Sequence, residues 1–144
     1  MTRQTKMKSQ LQEICKNYHV EIMYAFGSRS REIKGVIEGE KTVRNTVSSD
    51  ADIGIKAFKG SYLSVRQKAR LMAELEDLFG VSRVDLVILA EADSFLAANV
   101  IRGERLHCED DYTADEYELY VLRRAGDLAP LETERLRFIF GESS

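Results

Sequence analysis

The run Val81 to Ala90 (VSRVDLVILA) constrains this chain more than any other segment. It is too short to cross a membrane and, apart from Ser82, Arg83 and Asp85, almost wholly apolar, so it reads as an interior strand that must be covered. Its cover lies directly upstream. Residues 62–79 set Leu63, Leu71, Met72, Leu75, Leu78 and Phe79 at helical spacing, and Gly80 stands where a glycine ends a helix. Val20 to Phe26 (VEIMYAF) is β-branched and aromatic and stops at Gly27, which predicts a second strand. Residues 51–58 alternate Ile53, Ile55 and Ala57 against Asp52, Gly54 and Lys56, a third.

Around these strands the periodicity predicts an amphipathic helix over 5–18, carried by Met7, Leu11, Ile14, Cys15 and Tyr18. A short helix is expected from Ser94 to Arg102, ending at Gly103, and an edge strand from Arg105 to Cys108. Thr113 to Phe140 reads as helical with a break near Gly126 to Pro130. The order α, β, β, α, β, α, short β, α, α predicts an α/β (α+β) plan, a small mixed sheet with helices packed on it. At 144 residues with no Pro- or Gly/Ser-rich linker, one domain is expected, residues 1–110, with a helical extension over 111–144. Ser30 to Ser49 stands out as a long polar insertion. It is expected to be a flap or a hairpin of Ile33–Ile37 with Thr42–Val47.

The formal net charge of −3 provides no general basic field, so direct nucleic-acid binding is not expected. No apolar stretch approaches the length of a membrane span, and Met1 to Gln12 is not followed by the apolar core of a secretory signal; a cytoplasmic protein is expected. Cys15 and Cys108 lie far apart with no Cys/His cluster, which predicts reduced core residues. The acidic stretch Glu109, Asp110, Asp111, Asp115, Glu116 and Glu118 is either a solvated face or a surface for a basic protein partner. The apolar residues after it, Tyr117, Tyr120, Val121, Leu128, Leu131, Leu136 and Phe140, suit partner binding, a homodimer contact or core packing.

Three features carry chemistry. After the first strand comes Gly27-Ser28-Arg29-Ser30-Arg31: a glycine lets the backbone turn close to a ligand, free N–H groups and a hydroxyl bind phosphate oxygens, and arginines supply charge. The same pattern also fits an ordinary turn. Second, Asp50 and Asp52 open a strand two residues apart, so both carboxylates share a face with Cα atoms about 6.5 Å apart. Like charges so placed repel unless a cation lies between them or water relieves them. Third, Asp85 interrupts an apolar strand and needs either a counter-ion such as Arg83 or a metal. If its strand lies beside that of Asp50 and Asp52, the three form an all-oxygen set suited to Mg²⁺.

In this order, Gly27-Ser28-Arg29, then Ser49-Asp50-Ala51-Asp52-Ile53, then Val84-Asp85-Leu86-Val87, the sequence resembles the minimal nucleotidyltransferases (MNT) of the DNA polymerase β-like superfamily, over roughly residues 5–108. The stretch Ile101 to His107 is also similar to the closing glycine and short strand of that domain. The resemblance implies a polymerase β palm-like fold with a nucleoside triphosphate, ATP or another, held by Gly27, Ser28, Arg29, Arg31 and Ser49. It implies one or two Mg²⁺ ions on Asp50, Asp52 and Asp85 as metal ligands and catalytic residues. It further implies transfer of a nucleoside monophosphate to an acceptor hydroxyl, and an antitoxin role toward a HEPN-type toxin. A second reading is an inactive module of the same fold that neutralises a partner by contact. It draws on Glu32, where the family pattern carries glycine, and on the 21 residues between Ser28 and Asp50.

Overall fold

The computed structural model describes residues 3–39 and 50–140, with side chains over 6–39 and 50–126. Helix α1 (Arg3–Asn17) leads into β1 (Val20–Phe26), α2 (Ser30–Ile37), β2 (Asp50–Ala57) and α3 (Val65–Phe79). Then come β3 (Arg83–Ile88), a 3₁₀ turn (Leu89–Glu91), α4 (Ser94–Ile101), β4 (Glu104–Cys108) and α5 (Asp111–Phe140). The strands form one mixed sheet in the order β3-β2-β1-β4, with β1 antiparallel to both β2 and β4, and β2 parallel to β3. A parallel pair needs a crossover, and α3 supplies it. That helix starts on a capping box, in which Ser64 and Gln67 satisfy each other's backbone N–H. It stops at Gly80 in the left-handed conformation (φ 69°), as the sequence predicts.

Alternation along the strands divides the core into two layers. On one face Met23, Ala25, Ile53, Ile55 and Val84 pack against Leu11 and Ile14 of α1, Ile33 and Ile37 of α2, and Leu71, Leu75 and Phe79 of α3. On the other, Ile22, Tyr24 and Phe26 pack under Ala97, Val100 and Ile101 of α4 and Ala114, Val121 and Ala125 of α5. Each fully buried aliphatic side chain contributes about 1.5–3 kcal/mol, so both layers are needed to hold a four-stranded sheet. Gly54 belongs to the second layer: a Cβ there would lie 2.3 Å from Val100 Cγ1, and its absence brings α4 onto β2.

Four expectations are corrected. The apolar strand read as interior is β3, at the sheet's edge; it is apolar because it is sandwiched between the two helical layers, with Val84 and Leu89 buried and Leu86, Val87 and Ile88 half-buried. Ile33–Ile37 is the body of a helix, not a hairpin strand, and its Ile33, Val36 and Ile37 are buried at i, i+3, i+4 spacing. The insertion therefore contributes to the core. Thr42–Val47 lies outside the described residues. The break expected near Gly126 to Pro130 is absent, because α5 runs unbroken from Asp111 to Phe140; the helix formers around Pro130 carry the helix through. Cys108 is only half-buried, with its thiol donating to Asp111 Oδ1 at 3.0 Å, while Cys15 is fully buried and both are free. Among the described residues, no helix is long and apolar enough to cross a membrane.

Candidate active site

The site is assembled where three strand ends meet. β1 finishes at Phe26, whose register partner on β2 is Asp52, and the chain turns through Gly27 at φ 78°. A Cβ at Gly27 would stand 2.6 Å from Asp52 Oδ2, so only glycine allows the turn to lie against that carboxylate. On β2, Ala51 and Ile53 are fully buried toward the α1–α3 layer, which sends Asp50 and Asp52 to the opposite face, Asp50 exposed and Asp52 half-buried. In the parallel ladder Asp52 sits directly opposite Asp85 of β3, and Val84 beside Asp85 is buried on the other side. All three carboxylates share one face of adjacent strands. That is the face of α4 and α5, beyond the point where Val100 covers Gly54. Gly103 closes the far side: a Cβ there would lie 2.2 Å from the Ala25 carbonyl oxygen.

The electrostatics follow from this crowding. Burial, then the charge of Asp85 and then that of Asp50, push the Asp52 carboxyl above its usual range. The described cation in contact with the set is Arg83, whose Nε lies 3.1 Å from Asp85 Oδ1 in a surface pair. Among the described residues no three His, Cys, Asp or Glu side chains close around one point to hold an ion. The ladder aligns the carboxylates without drawing them together.

The phosphate-type turn is equally explicit. Ser28 and Arg31 are exposed, and Ser49 lies outside the described residues. Arg29 occupies the N-cap position of α2, with its side chain folded back on Glu32: Nη2 donates to Oε1 at 2.6 Å and Nε to Oε2 at 3.1 Å. Arg29 Nη1 is buried with no hydrogen-bond partner among the described residues. Sequence reasoning missed this pair; the i, i+3 spacing of an arginine and a glutamate at a helix start is its one signal.

The acidic stretch after β4 is largely a solvated face, with Glu109, Asp110, Asp111, Asp115 and Glu116 exposed, and part of it is also paired within the chain. Arg105 of β4 contacts Asp111 at 3.5 Å, Asp115 at 2.8 Å and Glu118 at 2.6 Å, and Glu118 also accepts from the buried Tyr24 hydroxyl at 2.7 Å. Asp110 caps α5 by accepting from the backbone N–H and the hydroxyl of Thr113. Asp110, Asp111, Asp115 and Glu118 thus also answer the chain's own groups. Of the apolar residues named for a partner surface, Val121 is buried and Tyr117 packs half-buried against the second layer, whereas Tyr120 is exposed. Leu128, Leu131, Leu136 and Phe140 have side chains outside the described set.

With this geometry in place, the comparison with protein families is decisive. The family described as polymerase beta, nucleotidyltransferase, matches residues 9–112. The chain belongs to this family. Among solved structures it is similar to a toxin–antitoxin crystallised with AMP-PNP (23% identity, covering 93% of this chain and 96% of that one, TM-score 0.61). It is also similar to the MntA–HepT toxin–antitoxin (18% identity, 95% and 97%, TM-score 0.59). A third is a tri-AMPylated Shewanella oneidensis HEPN toxin in complex with MNT antitoxin (20% identity, 96% and 97%, TM-score 0.59). At these identities they establish the fold, and the sequence resemblance to minimal nucleotidyltransferases is borne out at that level. No curated protein matches the chain.

Proposed function

We propose that this nucleotidyltransferase-family chain transfers AMP from ATP to a hydroxyl of a HEPN-type toxin, as an antitoxin. Residues 1–110 would carry the transfer chemistry and 111–144 would form the helical extension. The single observation that carries the reading is the register that sets Asp52 opposite Asp85, with Asp50 on the same face and Gly27 against Asp52. It is supported by the family membership and by solved structures of the same fold, one holding AMP-PNP and one with an AMPylated toxin.

The residues divide the work as follows. The turn at Gly27 and Ser28, with Arg29 and Arg31, receives the triphosphate at the start of α2, where backbone N–H groups and the helix dipole favour anions. Asp50, Asp52 and Asp85 are hard oxygen donors on one face, with Asp52 repelled by the other two, and by donor type they suit Mg²⁺ and would hold it. Bound there, it would neutralise phosphate charge and lower the pKa of the acceptor hydroxyl. The acceptor oxygen attacks the α-phosphorus in line, a new P–O bond forms, the bond to pyrophosphate breaks, and the acceptor's proton passes to the carboxylate of Asp85.

The test is incubation with each α-labelled nucleoside triphosphate, Mg²⁺ and the product of the neighbouring gene. Label is expected on a hydroxyl of that protein from ATP, and none with Asp52→Asn. A second reading, contact neutralisation without transfer, is favoured by the Arg83–Asp85 pair, which gives Asp85 a counter-ion of its own. Neutralised toxin with no label from any nucleotide would establish it.

A further inference from the structure

The turn that would receive the triphosphate has its principal arginine already engaged. Arg29 gives two of its three nitrogens to Glu32, with only 16% of the Arg29 side chain exposed against 37% for Glu32. A bidentate guanidinium–carboxylate pair is among the strongest side-chain contacts available. Yet this one leaves Arg29 Nη1 buried without an acceptor among the described residues, and an unmet N–H on a charged group is costly. Glu32 also places a negative charge in the first turn of α2, the end at which the helix dipole attracts anions. One carboxylate therefore holds the cation, and adds its charge to the helix turn, that a phosphate would use.

We propose that Glu32 is a built-in competitor for the nucleotide: it sequesters Arg29 in the free chain, and a triphosphate binds by taking the guanidinium from it. The inference rests on the nucleotide site proposed above and adds a regulatory residue to it. A phosphate offers three oxygens to the arginine's five N–H donors, so the exchange satisfies the donor that Glu32 leaves bare. Glu32 is thus a positioning residue that sets the threshold nucleotide concentration.

The test is a double-mutant cycle read by binding rather than turnover, using a fluorescent N-methylanthraniloyl ATP on the full chain. Glu32→Gln should tighten binding about tenfold, the scale of one charged contact released. Arg29→Ala should weaken it, and in that background Glu32→Gln should have less than about a threefold effect. Arg29→Lys, which keeps the charge but loses the two-pronged contact, repeats the cycle should alanine unsettle α2, with circular dichroism reporting the fold. Unchanged or weaker binding by Glu32→Gln, or equal tightening whether or not Arg29 is present, overturns the inference while leaving the nucleotide site standing. Absence of saturable binding in wild type and Glu32→Gln alike overturns the site and, with it, the inference.

Discussion

Two groups of carboxylates lie on the α4/α5 face of one sheet, and they are built on opposite principles. Asp111, Asp115 and Glu118 all contact Arg105, and Glu118 also holds the Tyr24 hydroxyl, so these acids share one of the chain's own cations. Asp50, Asp52 and Asp85 stand side by side on two strands, and Arg83 answers only the last. The two clusters are alike in composition; what separates them is how many acids the cation reaches, since Arg105 contacts all three of the first and Arg83 contacts Asp85 of the second. The first group stabilises the folded chain. In the second, burial and the neighbouring Asp85 and Asp50 disfavour the charge on Asp52, a placement that makes sense if a neutralising charge comes from outside.

Removing the cation from the first group should have the largest effect. Arg105→Met leaves the half-buried Glu118 with the Tyr24 hydroxyl in place of a cation, and we expect a loss of about 1–2 kcal/mol in urea unfolding. A stability equal to wild type would mean that the ion cluster is decorative. The second group should respond with the opposite sign. Asp52→Asn keeps the shape and removes one of three repelling charges, so metal-free stability should hold or rise by up to about 1 kcal/mol. A clear loss would show that Asp52 is retained for the fold rather than for a ligand.

Acid pH should sharpen the contrast. The Asp52 carboxyl is pushed up by burial and by Asp85 and Asp50. Its ionisation therefore costs the folded state stability above the raised value, and the cost disappears as pH falls through it toward the unfolded value. Asp110, held down by its hydrogen bonds to Thr113, contributes stability above the unfolded pKa that is lost as pH falls through the depressed one. Melting curves from pH 7 to pH 3 should show the gap between wild type and Asp52→Asn closing, and the advantage of wild type over Asp110→Asn shrinking. Parallel curves for Asp52→Asn would contradict the repulsion. The smallest effect belongs to Tyr24→Phe, which removes one donor from Glu118 while Arg105 stays, at about 1 kcal/mol or less.

The sequence exposed the strands and the order of Gly27, Asp50, Asp52 and Asp85 because short apolar runs and period-2 alternation are local signals. It misplaced β3, since being sandwiched between helical layers makes an edge strand as apolar as an interior one. It misread Ile33–Ile37 because a two-turn helix offers too few residues to separate the periods, although Ile33, Val36 and Ile37 already had helical spacing. Partnerships across the fold were the least legible. Arg105 finds Glu118 only once β4 and α5 have packed, and no local pattern marks that meeting. The Arg83–Asp85 pair was readable because its members are two apart on one strand.

The comparison between the two acidic groups is tested most directly by divalent-ion binding. Titration of Mn²⁺, a reporter for Mg²⁺, in the presence of AMP-PNP and followed by electron paramagnetic resonance, should show saturable binding in wild type. Binding should persist in the Asp111→Asn/Asp115→Asn double variant and be lost in Asp50→Asn/Asp52→Asn. Equal binding by the two double variants, or loss in the first and retention in the second, would contradict the assignment of Asp50, Asp52 and Asp85 as the ion site.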